Sequence, residues 1–493
     1  MNKFQAICVA TLLAAAAPAT AGGILTNTNQ SIDFLRNPAR DAAISLDGVY
    51  SNPAGVVFLP EGFHLAFNWQ YARQTRTIES TSPYFALGRK NNGLTTKTFE
   101  GEADAPFIPS LQAAYNTGNW SWQFNFSVPG GGGSCEFADG LGSFESVVGN
   151  IGNMLAPFGA QGYDMDGYMQ GRQYYFGFQL GTAYKINEHL SVYGGLRLLY
   201  GTATYKAKIS NIQVKTAGGY LNFGDFLQTA SASVATNLDL VNAGIGMYEA
   251  AGATAPAELL ANKATLEEAM KSMGSLQKYS QGVNLLCNQS SVGIAPVIGV
   301  DYKVGQFNFA AKYEFKTQIR MKNESTVNEA SEIAAVNKFR DGEEVSEDAP
   351  AQLALGVQWS PIEDVRINAG WHHFFDKSAS WYNNAQDLLD HDSNEFLAGV
   401  EWDLNDRLTV SGGFQLTRYG LTDKYMNDMS FVVDSYSVGF GFNYKATDQV
   451  TLKAGYFLTD YDHYKRVTST TPLVSDDFTR TNRVLGLGCE ISL

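Results

Sequence analysis

The segment that decides the fold is FHLAFNWQYA, residues 63–72. Its odd positions carry large apolar or aromatic side chains, and its even positions carry polar or small ones. Because a β-strand points successive side chains to opposite faces, this segment predicts a two-faced strand. Such a strand fits either a soluble sandwich or the wall of a membrane barrel whose apolar face contacts lipid.

The same alternation recurs along the whole chain. Further alternating segments begin near residues 108, 120, 173, 190, 294, 307, 353, 365, 396, 408, 436, 450 and 485. With residues 63–72 they predict 14 strands, an even number as in closed bacterial barrels. Short turns such as 116–118 alternate with long links such as 129–171 and 205–291. This pattern favours an all-β membrane protein, a 14-stranded antiparallel outer-membrane β-barrel, over a soluble sandwich.

The N-terminus predicts export from the cytoplasm. Lys3 precedes an apolar run, residues 6–17, and Ala19-Thr20-Ala21 is a cleavage pattern, so residues 1–21 read as a signal peptide cut near Ala21. No later segment offers the roughly 18 consecutive apolar residues of a membrane helix. The formal net charge is −14, and no basic cluster is present, which disfavours a nucleic-acid partner. The predicted location is the bacterial outer membrane.

Residues 22–62 contain no alternating strand and precede the predicted barrel, residues 63–493. They carry short helical patterns and apolar residues such as Phe34, Leu35 and Val57, which need to be buried. One interpretation is a periplasmic linker. The interpretation we favour is a hatch, or plug, inside the lumen, since a 14-stranded barrel leaks unless it is filled.

A family resemblance supports the hatch. The blocks GGILTNTNQSIDFLRNPARDA, residues 22–42, and DGVYSNPAGVVFL, residues 47–59, resemble the N-terminal hatch of the FadL/TodX family of outer-membrane transporters, in its Bacteroides-like branch. The step Asn52-Pro53-Ala54-Gly55 matches the hatch motif of that family. The resemblance implies a monomer that takes up long-chain fatty acids or other hydrophobic compounds passively. It also implies capture under the extracellular loops, a shift of the hatch and lateral exit through the wall at the third strand.

A break in the third strand is visible in the sequence. The strand runs directly into Pro129, Gly130, Gly131, Gly132 and Gly133. Proline cannot donate to a strand ladder and glycine weakens a strand interior, so persistent pairing there is costly. These residues are either the flexible start of a loop or the lateral gate that the resemblance implies.

Two long links contain predicted amphipathic helices, because apolar residues recur there at three- and four-residue spacing. These helices pack on one another as a lid, and their inner face also offers an apolar groove worth roughly 0.8 kcal/mol per buried CH₂. The candidate substrate-binding residues are Phe144, Val148, Ile151, Leu155, Phe158, Phe223 and Phe226.

A substrate carboxylate requires a cation. The candidates for holding the head group are Arg172, Arg197, Lys312 and Lys453. The alternative is that lumen cations pair with lumen carboxylates such as Glu314 or Glu401. We expect Arg36 and Arg40 to fix the hatch to the wall.

No catalytic residues, metal motif or cofactor motif stand out, so the sequence does not indicate an enzyme. The expected partners are a hydrophobic small molecule and outer-membrane lipid. A hydrophilic diffusion porin and a surface adhesin or structural barrel remain as alternatives. Cys135 and Cys287 are expected in long loops, and the sequence does not decide whether they form a disulfide.

Overall fold

The computed structural model describes residues 24–329, 334–467 and 474–493. The predicted signal peptide lies outside these residues. The described chain forms one antiparallel sheet that closes on itself, because the first strand pairs with the last from His64 opposite Ser492 to Thr81 opposite Ser475. The predicted 14-stranded barrel is confirmed.

Two of the 14 strands are interrupted, β7 and β8, and their halves are joined by irregular chain on the loop side. The strands are β1 Gly62–Thr81, β2 Thr96–Thr117, β3 Trp120–Phe137, β4 Gly162–Lys185, β5 Leu190–Thr216, β6 Val283–Val304, β7 Phe307–Glu314 with Arg320–Asn328, β8 Glu344–Ser346 with Gln352–Ile362, β9 Val365–Phe374, β10 Ser393–Asn405, β11 Leu408–Arg418, β12 Ser435–Lys445, β13 Val450–Tyr461 and β14 Ser475–Ser492. Two short strands, Gly219–Asn222 and Tyr464–Val467, extend the hairpins of β5 and β14.

The side chains sort as the opening segment predicts. Phe63 and Phe67 expose 40% and 46% of their surface, whereas His64, Asn68 and Gln70 are buried. This is the reverse of a soluble sandwich, in which the apolar face is the buried one. Closed strand pairing satisfies the backbone where no water is present, so the exposed apolar face suits hydrocarbon.

Residues 24–61 lie inside the barrel as the predicted hatch. They form one short helix, α1 (Ile32–Arg36), and two 3₁₀ turns, Leu46–Val49 and Gly55–Phe58. The Ser31 hydroxyl caps α1 by accepting a hydrogen bond from the Phe34 N–H (3.0 Å). Almost every residue of this segment is buried against the lumen wall, so the hatch fills the lumen instead of forming a periplasmic linker.

The long loops all leave one end of the barrel and carry the larger helices. These helices are α2 (Gly142–Met154), α3 (Phe223–Ala250) and α4 (Ala257–Gln277). Shorter 3₁₀ turns occupy Pro83–Leu87, Arg89–Asn91, Ala156–Phe158, Ala334–Phe339, Asp376–Ser378 and Tyr382–Leu388. No helix among the described residues has both the length and the apolar character needed to cross a membrane.

The strands continue further toward the loops than the sequence predicts. Cys135 lies in β3 opposite Gly171, and Cys287 lies in β6 opposite Tyr205, so the prediction that both cysteines occupy long loops is wrong. The reason is that β3 to β6 keep their ladder pairing on the loop side, where the sequence alternation is weaker. Both thiols are free and buried in different clusters, Cys135 with Phe137 and Cys287 with Tyr205.

Candidate functional site

The barrel wall has an opening between β2 and β3. The two strands pair from Leu111 opposite Phe126 toward the turn, and again from Ala103 opposite Cys135 toward the loops. Between these stretches the facing residues, 104–110 and 127–134, are not paired with each other. The ladder between β3 and β4 also shifts register twice across Ser127–Gly133. The wall is therefore interrupted at the third strand.

Prolines and glycines on both edges explain the opening. Pro106 and Pro109 lie on the β2 edge and Pro129 lies on the β3 edge, and none of them can donate a backbone hydrogen bond. Gly131 has φ +94°, and a Cβ there would lie 2.3 Å from the Gln173 carbonyl oxygen. Only glycine fits that position, so the sequence enforces the kink in β3.

A cavity of about 180 Å³ occupies the opening. Its inner side is formed by hatch residues, including Asn27 and Gln30, and its outer side by Phe107 and Phe176 on the strands. Phe107 exposes 63% of its surface on the outside of the barrel. The cavity thus connects the lumen with the surface that faces lipid.

The first described residues of the hatch, residues 24–30, close this opening from inside, and we name them the N-terminal limb. The Asn27 N–H donates to the Pro129 carbonyl oxygen (2.8 Å), and the Asn27 side-chain amide donates to the Gly131 carbonyl oxygen (3.2 Å). Thr26 forms an isolated bridge with Gly130. The limb therefore replaces part of the missing strand pairing.

Gln30 joins both edges of the opening. Its side-chain amide donates to the Val128 carbonyl oxygen (3.1 Å) and its side-chain oxygen accepts from the Val128 N–H (3.0 Å). Its own carbonyl oxygen accepts hydrogen bonds from Ser110 (2.6 Å) and Gln112 (3.1 Å) on β2. All of these bonds join neutral groups.

The remainder of the hatch, residues 31–61, is named the base, and ion pairs fix it to the wall. The Arg36 and Arg40 guanidinium groups contact Glu401 of β10 at 2.6 and 3.0 Å. Asp33 pairs with Arg36 and with Lys453 of β13. The expectation that Arg36 and Arg40 anchor the hatch is thus met by the geometry.

The Asn52-Pro53-Ala54-Gly55 step is a second anchor of the base. The Asn52 amide donates to the Asp301 carboxylate of β6 (2.6 Å). The Pro53 and Ala54 carbonyl oxygens accept hydrogen bonds from Gln123 (2.7 Å) and Ser191 (2.7 Å). A Cβ on Gly55 would lie 2.4 Å from the Asn52 side-chain nitrogen, so this motif is tightly packed against the wall.

Above the hatch, under the loops, lies a cluster of buried apolar side chains that we name the loop cluster. Its members include Ile78, Phe99, Ala103, Phe137, Phe144, Val148, Met429, Phe431, Tyr461 and Phe478. Ala103 also lines the wall cavity, so the loop cluster and the opening are contiguous. Burial raises the pKa of the Asp428 carboxyl at its edge, which accepts a hydrogen bond from the Ser143 N–H at the start of α2 (2.7 Å).

The seven predicted substrate-binding residues are divided between two clusters. Phe144 and Val148 belong to the loop cluster. The other five, Ile151, Leu155, Phe158, Phe223 and Phe226, pack together where α2 meets α3 and α4. The second group packs between the helices as expected for the lid. Contact of any of the seven with substrate stays a prediction.

The four head-group candidates have internal partners. Arg172 is exposed on the outside of the barrel and donates to Thr204 (3.1 Å). Arg197 pairs with Glu314, as the alternative interpretation expected. The Lys312 ammonium donates to the Tyr50 carbonyl oxygen (2.9 Å), and Lys453 pairs with Asp33 and Glu490. The last three fix the hatch or the wall, and a role in substrate contact stays a prediction.

Sequence reasoning missed several residues of the site. Pro106 and Pro109, three residues apart within β2, were a readable signal for the opening. Asn27 and Gln30 had no such signal, because their partners lie about 100 positions away along the chain. No group of three or more histidine, cysteine, aspartate or glutamate side chains suited to a metal ion occurs among the described residues.

The fold resembles solved transporter structures. No protein-family model matches the sequence, and no curated protein matches it significantly. A Pseudomonas aeruginosa FadL homologue superposes with a TM-score of 0.62 at 11% identity, covering 96% of this chain and 100% of that chain.

Two toluene transporters are also similar. TodX of P. putida has a TM-score of 0.52 at 12% identity, covering 91% of this chain and 94% of that chain. TbuX of Ralstonia pickettii has a TM-score of 0.51 at 14% identity, covering 93% and 98%. The Bacteroides-like branch stays a prediction. At the level of the fold, the predicted resemblance is confirmed: this chain is an outer-membrane-type barrel with the fold of the FadL homologue and the toluene transporters.

Proposed function

We propose that this protein carries out passive uptake of hydrophobic compounds across the outer membrane. The compound is captured in the loop cluster, the N-terminal limb withdraws, and the compound leaves sideways through the opening between β2 and β3 into lipid. The observation that carries the proposal is this opening, which lies beside the loop cluster and is bridged from inside by neutral hydrogen bonds of Asn27 and Gln30.

The chemistry of the route supports the proposal. The loop cluster is apolar, so transfer of an apolar compound into it is favourable by roughly 25 cal/mol per Å² of buried apolar surface. The outer side of the opening is formed mainly by the aromatic side chains of Phe107 and Phe176, and Asp104 is the one charged residue among the described residues that line the cavity. A compound that leaves there enters hydrocarbon without crossing the ion pairs of the base. Long-chain fatty acids and small hydrocarbons both satisfy these conditions.

The porin alternative is less well supported. A diffusion porin needs a continuous aqueous lumen, whereas the hatch occupies the lumen here and its base is joined to the wall by buried ion pairs. We expect low ion conductance of the intact protein in planar bilayers and higher conductance when residues 22–62 are deleted. High conductance of the intact protein would favour the porin.

The lateral exit is tested by filling the cavity. Ala105 lines it, and Ala105→Trp places a large side chain in the opening without changing a proline or glycine of the kink. We expect uptake of radiolabelled oleate and toluene into cells to fall sharply, while the purified variant still binds both probes. The kinked glycines are poor targets, because a side chain at Gly131 would distort the wall itself.

The matched control is Ala369→Trp. Ala369 is exposed on the outer face of β9, where the wall is fully paired on both sides. Uptake should be unchanged by this substitution. Equal uptake by the two tryptophan variants would contradict the lateral exit, and a wild-type protein that neither binds nor imports the probes would favour an adhesin or structural barrel.

A further inference from the structure

Three exposed cations lie on the outer face of β4 and β5, toward the end of the barrel that carries the long loops. Arg172 of β4 lies opposite Thr204 of β5, and Lys206 and Lys208 follow Thr204 at two-residue steps on the same face. Diagonal neighbours across a strand pair lie about 7–8 Å apart, so the positions of Arg172 and Lys206 are adjacent. We name Arg172, Lys206 and Lys208 the basic patch.

Aromatic side chains lie next to the basic patch on the same outer face, on its side away from the loops. Tyr174 and Phe176 continue the outward positions of β4, and Tyr200 of β5 lies opposite Phe176. The ring centre of Phe176 is 5.9 Å from that of Tyr174 and 6.4 Å from that of Tyr200. Because aromatic side chains mark the boundary between hydrocarbon and headgroups, the basic patch lies at the level of the headgroups.

The basic patch differs from other cations on the outer face in its partners. Three outer arginines elsewhere on the barrel each pair with a carboxylate: Arg73 with Glu102 (3.7 Å), Arg418 with Asp434 (3.7 Å) and Arg483 with Asp460 (2.8 Å). Within the described chain, no carboxylate lies within ion-pairing distance of Arg172, Lys206 or Lys208. Arg172 donates only to the hydroxyl of Thr204 (3.1 Å).

Two acidic residues near the basic patch are bound to other groups. Asp166 interacts electrostatically with Lys208, but its carboxylate accepts a hydrogen bond from Lys90. Glu136 of β3 accepts a hydrogen bond from Gln170 (3.4 Å). This part of the outer face therefore keeps a surplus of positive charge, which an anion from the membrane can neutralise.

We propose that the basic patch binds the phosphate groups of a phosphorylated glycolipid in the outer leaflet of the membrane. A phosphate monoester carries a charge of about −1.5 to −2 and three acceptor oxygens, which suit one guanidinium and two ammonium groups. The three cations extend over roughly 13 Å of the wall at about 3.3 Å per residue, so a headgroup with two phosphates can contact all of them. The acyl chains of the same lipid lie on the adjoining aromatic side chains.

The bound lipid lies beside the opening in the wall. Arg172 is directly opposite Ser134 of β3, and Ser134, Tyr174 and Phe176 all line the wall cavity. The acyl chains of the lipid thus form part of the hydrocarbon at the outer end of the cavity. Lipid binding at the basic patch does not depend on the proposed uptake function.

The test measures the binding of two lipids to the purified mature protein in non-ionic detergent by native mass spectrometry. One is lipid A with two phosphates, and the other is the same lipid after both phosphates have been removed. A triple variant, Arg172→Gln with Lys206→Gln and Lys208→Gln, should weaken binding of the phosphorylated lipid by about fivefold per cation, or roughly a hundredfold in total, because each basic side chain near an anionic membrane surface contributes about that much. Binding of the dephosphorylated lipid should not change.

The matched control removes the same charge from paired cations on the outer face. The triple variant Arg73→Gln with Arg418→Gln and Arg483→Gln should leave the binding of both lipids unchanged, because these arginines already have carboxylate partners. A semi-native gel shows whether each variant is folded. If the triple variant of the basic patch does not fold, Lys206→Gln alone should weaken binding of the phosphorylated lipid by about fivefold.

Three outcomes would overturn the proposal. Equal binding of the two lipids by the wild type would mean that the phosphates are not recognised. An equal loss in the two triple variants would mean that only the total charge of the barrel matters. Displacement of the phosphorylated lipid by an equal concentration of inorganic phosphate would assign the basic patch to a free anion and not to a lipid.

Discussion

The limb and the base of the hatch are continuous in sequence but are attached to the barrel by different chemistry. The limb contacts the edges of the opening through neutral amides, as between Asn27 and Gly131, and it reaches a charged group through the 3.4 Å bond from Thr28 to Glu395. The base contacts the wall through buried ion pairs centred on Glu401. A neutral hydrogen bond contributes about 1 kcal/mol net, whereas removal of one partner from a buried ion pair costs roughly 3–5 kcal/mol. The hatch thus combines a base that is suited to remain attached to the wall and a limb that is suited to withdraw from the opening.

The largest expected effect comes from breaking the base at Glu401. Glu401→Gln removes the charge that Arg36 and Arg40 share, and leaves two buried guanidinium groups with less compensation. We expect a loss of roughly 3–5 kcal/mol in stability and a rise in ion conductance as the hatch loosens. The measurements are the temperature at which the folded band is lost on a semi-native gel and single-channel recording.

Glu363→Gln is the matched control for this change. Glu363 is an exposed carboxylate in the turn between β8 and β9, so its loss should alter neither quantity. If Glu401→Gln behaves like the control, the ion pairs of the base do not hold the hatch, and the contrast between base and limb is lost.

A smaller effect is expected at the second anchor of the base. Asn52→Ala removes the hydrogen bond to the Asp301 carboxylate and should cost about 1.5–3 kcal/mol, the usual value for a bond to a charged group. The cost should be smaller in an Asp301→Asn background, because the charge that Asn52 serves is then absent. A double-mutant cycle measures this difference, and strict additivity would show that the two residues do not interact.

The barrel could be predicted from the sequence almost completely, whereas the site could be predicted only in part. The reason is that the barrel depends on local patterns and much of the site depends on contacts between distant residues. Alternation of side chains is local, so the wall could be read from residues such as Phe63 and Phe67. The kink at Pro129 was also local, because proline and glycine act on their own backbone. The closing contacts of Asn27 and Gln30 depend on how the hatch lies in the lumen. The proximity of Arg172 to Lys206 depends on the register between β4 and β5, which no local pattern specifies.

Loss of hydrogen bonds from the limb is expected to change uptake more than stability, unlike loss of ion pairs from the base. Asn27→Ala combined with Gln30→Ala removes the side-chain bonds that close the opening, at a cost of about 1 kcal/mol each. We expect the melting temperature to change little and the initial rate of probe uptake to rise, because the limb withdraws more often. Uptake of radiolabelled toluene and the semi-native gel measure the two quantities.

Asn29→Ala provides the control within the limb. Asn29 lines the cavity but its side chain donates to Gln70 of β1 and to neither edge of the opening, so this substitution should raise uptake much less than the double variant does. A double variant at Asn27 and Gln30 that melts as early as Glu401→Gln would mean that the limb is as important for stability as the base.

The smallest expected effect is a difference in hydrogen exchange between the limb and the base, and it can be measured in the native protein without a substitution. The Asn27 N–H donates to the Pro129 carbonyl oxygen and the Asn52 N–H donates to the Gly48 carbonyl oxygen, both at 2.8 Å. Because the two bonds have equal length, the bonds themselves should slow exchange of the two amide hydrogens equally. Any difference between their exchange rates therefore reports how easily each part of the hatch opens. We expect the Asn27 amide to exchange first, because the bonds of Asn27 and Gln30 to the wall join neutral groups and the bond from Thr28 of the limb to the Glu395 carboxylate is long, at 3.4 Å. Equal exchange rates would mean that the hatch moves as one body, and the lateral exit would then require the ion pairs of the base to break in every transport cycle.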